Sequence, residues 1–294
     1  MAVPTVGLAL IARDEEANLP HLLASIDGAF DQVALLDTGS SDRTVEIFEE
    51  WAAGQDLPLG HRIGRFEWCD DFAAARNAAD ELLSTDWLAW ADCDDVIEGA
   101  QDLCGAVARM PTDVAVLLCA YQMEHPSGPV CATHRQRVFR RPAPAWRGRV
   151  HESRAIDPSR RPEAGVRVLP EVAYWRTARD GMRESSQRRN AAILQRWIEE
   201  EPENPRPLGM LAAQSYVHGD RREGLSLFFR YVELRRPRMS FDQFGLAVWA
   251  LAQLKVVAAL SAQDAVAFAP GFISILLGRP PETWHSAIAE PLDA

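Results

Sequence analysis

Between residues 5 and 140 short apolar runs alternate with amphipathic stretches. TVGLALIA (5–12) predicts a strand, EEANLPHLLASI (15–26) a helix, QVALLD (32–37) a strand and DRTVEIFEEWAA (42–53) a helix. A strand near HRIGRFEW, a helix at FAAARNAADELL, and strands at WLAWAD and VAVLLCAY continue the series. Such alternation predicts stacked βαβ units around a mostly parallel sheet flanked by helices, an α/β architecture whose ligands sit at the carboxyl ends of the strands.

From about residue 180 the apolar spacing becomes helical throughout, in RESSQRRNAAILQRWIEEE, PRPLGMLAAQSYVHGD, RREGLSLFFRYVELRR and SFDQFGLAVWALAQLKVVAAL, with turns at PENP, HGD and RPRMS. Leu211, Ala212, Gly224 and Phe228 fall at the small and large positions of a tetratricopeptide-like helix pair, and a second pair is expected from Ser240. The expected organisation is an α/β domain over residues 1–178 and an all-α helical domain over 179–294.

Composition narrows the functional classes. With 47% apolar and 25% charged residues in 294, the chain has the balance of an ordinary globular protein. Its formal charge of -11 repels phosphate backbones, so a nucleic-acid partner is disfavoured. Five cysteines without a C-x-x-C pair point to reduced thiols and a cytoplasmic setting, not to disulfides or a zinc site. The first apolar run stops at Arg13 and has no basic leader, so neither a signal peptide nor an integral membrane segment is expected.

The chemistry is concentrated where apolar strands stop. QVALLD ends on Asp37, followed by Thr38, Gly39, Ser40, Ser41 and Asp42. One of Ser40, Ser41 and Asp42 is expected to cap the next helix, but a cap does not require Asp37, which suits a ligand donor instead. The first strand runs through Ala12 and Arg13 into Asp14, Glu15 and Glu16 at a helix start, where an acidic residue caps the helix or holds a diol. Arg76 and Asn77 follow Asp70 and Asp71, and Arg76 meets a phosphate or pairs with Asp80 at i+4. WLAWAD opens into Asp92, Asp94 and Asp95, carboxylates that repel one another unless a cation or donors lie between them.

Asp14-Glu15-Glu16, Asp37-Thr38-Gly39-Ser40-Ser41-Asp42, Ala75-Arg76-Asn77 and Asp92-Cys93-Asp94, in that order, resemble the ordered elements of family 2 glycosyltransferases of GT-A fold, although Asp14 stands where that family commonly has Asn. The resemblance implies a UDP-sugar donor with Asp37 near the base, Glu15 near the ribose, and Asp92 and Asp94 near a diphosphate carried by Mn²⁺ or Mg²⁺. Ala12, Arg13, Gly39, Ser40, Asp42, Arg76 and Asn77 are the further nucleotide-sugar contacts it implies. Trp146-Arg147-Gly148-Arg149-Val150-His151-Glu152 resembles a later segment of the same family. It implies contacts from Trp146 and Arg149 and an inverting displacement with Glu152 as base, or His151 in its place. Arg137, Arg140, Arg147 and Arg149 are candidates to offset leaving-group charge. The family often carries a metal-binding His after the next strand, where this chain has Tyr174 and Trp175.

The helical tail resembles that of sublancin-type S-glycosyltransferases, which favours a protein or peptide acceptor; helices of this kind also form homodimers. A lipid-linked or cell-envelope saccharide and a modified DNA base are the rival acceptors. A non-catalytic scaffold built on a degenerate transferase domain is the rival class.

Overall fold

Seven residues, Val6–Ala12, form strand β1, and six, Gln32–Asp37, form β2; nearly every side chain in both is buried. Strands that read as continuous apolar runs need cover on both faces, and a parallel sheet between helices supplies it. The computed structural model describes residues 3–123, 130–154, 165–176 and 182–235, and the chain divides into two compact units, residues 1–180 and 181–294.

In the first unit, helix α1 (Leu19–Ser25) and helix α2 (Thr44–Ala53) follow β1 and β2. The helix expected from residue 15 begins only at Leu19: Pro20 presets the first turn, and Glu15 stays in the preceding loop. Strand β3 (His61–Arg65), helix α3 (Phe72–Glu81) and strand β4 (Trp87–Asp92) come next. After them run β5 (Asp95–Glu98), a 3₁₀ turn at Ala100–Asp102, α4 (Leu103–Ala108), β6 (Val116–Met123), β7 (Val130–Arg140), β8 (Trp146–Arg147), β9 (Ser153–Arg154) and β10 (Val166–Arg176).

Eight strands make one sheet in the order β3-β2-β1-β4-β7-β6-β10-β5, and β8 and β9 pair separately. Pairing is parallel from β3 to β4 and turns antiparallel at β7, so the sheet is mixed, not mostly parallel along its whole width. The antiparallel entry follows from the order: the edge of β4 is taken by β7, whose other edge pairs with β6 by a direct return.

The two faces of β1 are sized for different neighbours. Leu8, Leu10 and Ala12 join Leu19, Leu22, Phe48 and Trp87 in the larger core under α1, α2 and α4. Ala9 joins Ala34, Ala75 and Ala79 on the opposite face, where small side chains let α3 lie close to the sheet. Gly99 has φ 73, and a Cβ there would stand 2.0 Å from the Glu171 carbonyl oxygen of β10, so the turn after β5 admits only glycine without displacement.

The second unit contains α5 (Met182–Glu200), α6 (Pro205–His218) and α7 (Arg221–Arg235). Asn204 caps α6 by accepting the Arg206 N–H at 3.0 Å. Leu211, Ala212 and Phe228 are buried, and a Cβ on Gly224 would meet the Tyr216 backbone nitrogen at 2.5 Å, a measure of how closely α6 and α7 approach. The helix pair expected from Ser240 lies outside the described residues. Among the described residues no helix is long and apolar enough to cross a membrane.

Candidate active site

The strand order reverses at β1, because β2 and β3 lie on one side of it and β4 on the other. Crevices form at such switch points, outside the carboxyl ends of the strands. Register places Ala12 opposite Asp37 and Ile11 opposite Asp92, so two of the carboxylates that end apolar runs flank the end of β1.

The loops after β1 and β2 are stitched together by their own polar side chains. Asp14 Oδ1 accepts the Ser41 N–H at 2.7 Å and its hydroxyl at 3.1 Å, while the Asp14 N–H donates to Ser40 Oγ. An amide oxygen at residue 14 would accept the same bonds, which makes Asp and Asn interchangeable in this role. The Glu15 N–H donates to Thr44 Oγ1, the Glu16 N–H to Asp42 Oδ2, and the Arg43 N–H to Glu16 Oε2. The N-cap of α2 is Arg43, which makes no side-chain capping bond, so none of the three expected residues is the cap; Asp42, one residue earlier, accepts the Thr44 N–H at 3.0 Å. Asp37 accepts the Ser40 N–H at 2.9 Å and is nearly buried: its carboxylate closes its own turn and fixes the path past Gly39, whose φ is 105. Arg13 is exposed, 3.9 Å from Asp14.

Glu15 accepts the Asn18 side-chain amide at 2.6 Å. Burial raises its pKa; Asn18 opposes the rise, and the Asp94, Asp92 and Asp42 carboxylates add to it.

Asp92, Asp94 and Asp95 each offer one carboxylate oxygen within 4.8 Å of the others. The turn between β4 and β5 makes this possible, since Asp95 Oδ2 accepts the Asp92 N–H at 3.0 Å and folds the acidic residues onto one spot. Each carboxylate carries an arginine. Arg76 Nη2 is 2.5 Å from Asp92 Oδ1, Arg137 Nη1 3.0 Å from Asp95 Oδ2, and Arg176 Nε 2.9 Å from Asp94 Oδ2. Burial pushes Asp92 up, but Arg76 and Arg137 outweigh it and hold its carboxyl down at about 2. Burial and the neighbouring Asp92 charge raise Asp94 against Arg176. Burial raises Asp95 as well, against the Arg137 guanidinium. Three hard oxygen donors, with Oδ1 of the fully buried Asp95 lacking a hydrogen-bond partner, suit Mg²⁺ or Mn²⁺.

Helix α3 joins this cluster to the segment from 146 to 154. Arg76, 5% exposed, places Nε 2.5 Å from Glu152 Oε1 while Nη2 holds Asp92, and its guanidinium lies 4.2 Å from the centre of the Trp90 ring. One position on, Asn77 donates to the Trp146 carbonyl at 3.1 Å and accepts the Trp146 N–H at 2.8 Å. One turn further, Asp80 Oδ2 accepts the Trp146 indole N–H and pairs with Arg154. The Phe72 N–H at the start of the helix donates to the Arg149 carbonyl. His151 has φ 53 and is exposed, while Val150 and Glu152 on either side turn inward.

The structure therefore gathers Glu15, Arg76, Asp92, Asp94 and Glu152 in one charged network, with Asp37, Gly39, Ser40 and Asp42 in the adjoining loop. Of the two roles open to Arg76 in the sequence, the i+4 pair with Asp80 does not form: Arg76 pairs with Asp92 and Glu152, and Asp80 turns to Arg154. Asn77 and Trp146 spend their polar groups on each other's segment, and Trp146 is 4% exposed. Arg137 is fully buried, stacked 3.9 Å from the Trp90 ring and 4.3 Å from that of Tyr174, so it supports Asp95 from within. Arg140 donates to the Pro111 and Val114 carbonyls, away from the cluster. Tyr174 is core, and it is Arg176, two residues further, that reaches Asp94. Arg176 is not among the residues that the sequence motifs single out. Its signal was a cation ending an apolar alternation, the mirror of the aspartates that end β2 and β4.

The glycosyl transferase family 2 model matches residues 8–161 of the chain. A TPR repeat-containing protein of Synechococcus elongatus is 28% identical over 231 residues, which is 74% of this chain and 54% of its own. The SPbeta prophage-derived glycosyltransferase SunS of Bacillus subtilis is 29% identical over 93 residues, 32% of this chain and 21% of its own. The chain thus spans about half the length of the first relative and about a fifth of the second. Among solved structures, S. aureus TarS 1-349 in complex with UDP-GlcNAc has a TM-score of 0.55 at 13% identity, covering 96% of this chain and 90% of that one, a likeness of fold.

Proposed function

The chain belongs to glycosyl transferase family 2, and we propose that it moves a hexose from a UDP-sugar to an acceptor hydroxyl or thiol with inversion at the sugar carbon. The observation that carries this reading is the joining of Asp92 and Glu152 by one buried guanidinium at the carboxyl end of the strands. It ties the Asp92 carboxylate of the acid cluster and the Glu152 carboxylate to one guanidinium, and this supports the reading of the first as facing the diphosphate and of the second as the base. The UDP-GlcNAc complex of the similarly folded TarS supports a UDP-sugar as donor.

In this reading the loops after β1 and β2 receive the nucleoside, with Asp37 accepting from the base and Glu15 from the ribose. Asp92 and Asp94 are the residues that would hold a divalent cation, Mn²⁺ or Mg²⁺, and the chemistry such an ion would supply there is neutralisation of the leaving diphosphate. Glu152 takes the proton from the acceptor nucleophile as that atom attacks the sugar carbon from the face opposite the departing diphosphate. Arg76 keeps the Glu152 carboxylate aimed for that step, and the α3 contacts to Trp146 and Arg154 hold the segment that presents it. The helical unit that follows favours a protein or peptide acceptor, because stacked helices offer a surface for an extended chain.

The test is release of UDP from a panel of UDP- and GDP-sugars, with Mn²⁺ or EDTA, by wild type, Asp94→Asn and Glu152→Gln. Turnover of one UDP-sugar that falls about 100-fold or more in Glu152→Gln is the expected result. Retention of full turnover in Glu152→Gln would remove Glu152 from the base role. Turnover of GDP-sugars alone would remove the uridine donor.

A further inference from the structure

Arg176 is the last residue of β10, and its Nε lies 2.9 Å from Asp94 Oδ2. It differs from the other two arginines of the cluster in exposure. The Arg76 side chain is 6% exposed and that of Arg137 0%, both packed against rings, whereas the Arg176 side chain is 50% exposed. Two of the three carboxylates are thus matched by fixed charges, and the third by a charge on a long stem that reaches in from solvent. Asp94 is the carboxylate whose arginine is open to solvent. The Asp92 carboxylate adds negative charge beside Asp94, and Asp95 brings a third oxygen within 4.8 Å, so the point beside Asp94 attracts a cation whether that cation is an ion or a side chain.

We propose that Arg176 is a tethered cation at Asp94: in the donor-free protein it holds the place of a divalent ion and must leave Asp94 before the ion can bind there. The inference rests on the reading of Asp92 and Asp94 as ion ligands. When a nucleoside diphosphate arrives, the guanidinium has a second partner within the reach of its side chain, since planar donors fit phosphate oxygens as well as carboxylate oxygens. Arg176 then acts as a positioning group for the diphosphate, and the protein retains part of its nucleotide affinity without a metal.

The experiment titrates Mn²⁺ into donor-free protein, reading free Mn²⁺ by electron paramagnetic resonance, for wild type, Arg176→Ala, Arg176→Lys and Arg176→Ala/Asp94→Asn. Removing one positive charge from beside the ion should tighten Mn²⁺ binding about tenfold in Arg176→Ala. Arg176→Lys should stay near wild type, and the double variant should lose the gain. UDP binding in EDTA, read by calorimetry, should weaken about tenfold in Arg176→Ala and be restored by Mn²⁺. Equal Mn²⁺ affinity in wild type and Arg176→Ala overturns the proposal, whatever the nucleotide does. Tighter Mn²⁺ binding in Arg176→Ala with no UDP binding by any variant supports the tethered cation and refutes the uridine donor. The Arg176 side chain is half-exposed, so Arg176→Ala should melt within a few degrees of wild type, which a thermal scan checks.

Discussion

Replacing Arg76 by methionine removes one guanidinium and leaves two carboxylates facing the space it filled. Its side chain is 6% exposed, and it pairs with Asp92 and Glu152 at 2.5 Å each. Taking away one partner of a buried pair costs about 3–5 kcal/mol; Asp92 is partly solvated and recovers some of that from water, so about 3 kcal/mol is expected at pH 7. The loss should depend on pH in a definite direction. In wild type Asp92 titrates below its ordinary value, so its contribution is present above that value and fades as pH falls toward about 2. Without Arg76 the burial that opposes the charge is less compensated, and Asp92 protonates earlier. The difference between the two proteins should therefore shrink on acidification from pH 7 toward pH 4. Urea unfolding at several pH values measures it. Arg76→Lys should recover less than half, because an ammonium cannot hold both carboxylates at the geometry of a planar fork. A loss under about 1 kcal/mol that does not change with pH would refute the account of Arg76 as the charge that stabilises both acids.

Three further outcomes follow from the same geometry. Asp37→Ala should lower UDP affinity about tenfold in calorimetry through loss of both an acceptor and the turn to Ser40, while Asp37→Asn keeps the turn and folds as wild type. Gly99→Ala should destabilise by about 2 kcal/mol or more in a thermal melt, because a Cβ at φ 73 meets the Glu171 carbonyl. Glu15→Gln should unfold at higher urea than wild type at pH 7: an acid whose folded pKa is raised costs stability once charged, so the advantage should vanish below pH 4.

The parts of the fold that could be read along the chain are those where one physical cause acts alone. β2 and β4 were bounded to the residue because a fully buried apolar run stops at a carboxylate. β7 was not legible, since it carries His134, Arg135 and Arg137 in a stretch that reads as a solvated basic loop. Arg137 is buried only because Asp95, Trp90 and Tyr174 converge on it from other strands, and no local pattern announces that convergence. β10 is broken by Pro170 and an irregularity between Leu169 and Ala173, which hides its length. At the candidate site, the residue types were legible and their partners were not. Asp92 and Glu152 stand out for their chemistry, yet the charge that joins them is Arg76, for which the sequence offers only a phosphate or Asp80 as partner. Arg154, the partner of Asp80, lies 74 positions away and carries no sign of it.

Helix α3 has a consequence for anyone recombining this chain with its relatives. Counted along the sequence it belongs to the first half, and counted by its bonds it belongs equally to residues 146–154. A chimera spliced anywhere between Glu81 and Ala145 would join one parent's Arg76, Asn77 and Asp80 to another parent's Trp146, Glu152 and Arg154. Five hydrogen-bonded or ionic links would then depend on two histories agreeing. The workable unit of exchange is the helix together with that distant segment, a module that is contiguous in space and split in the gene.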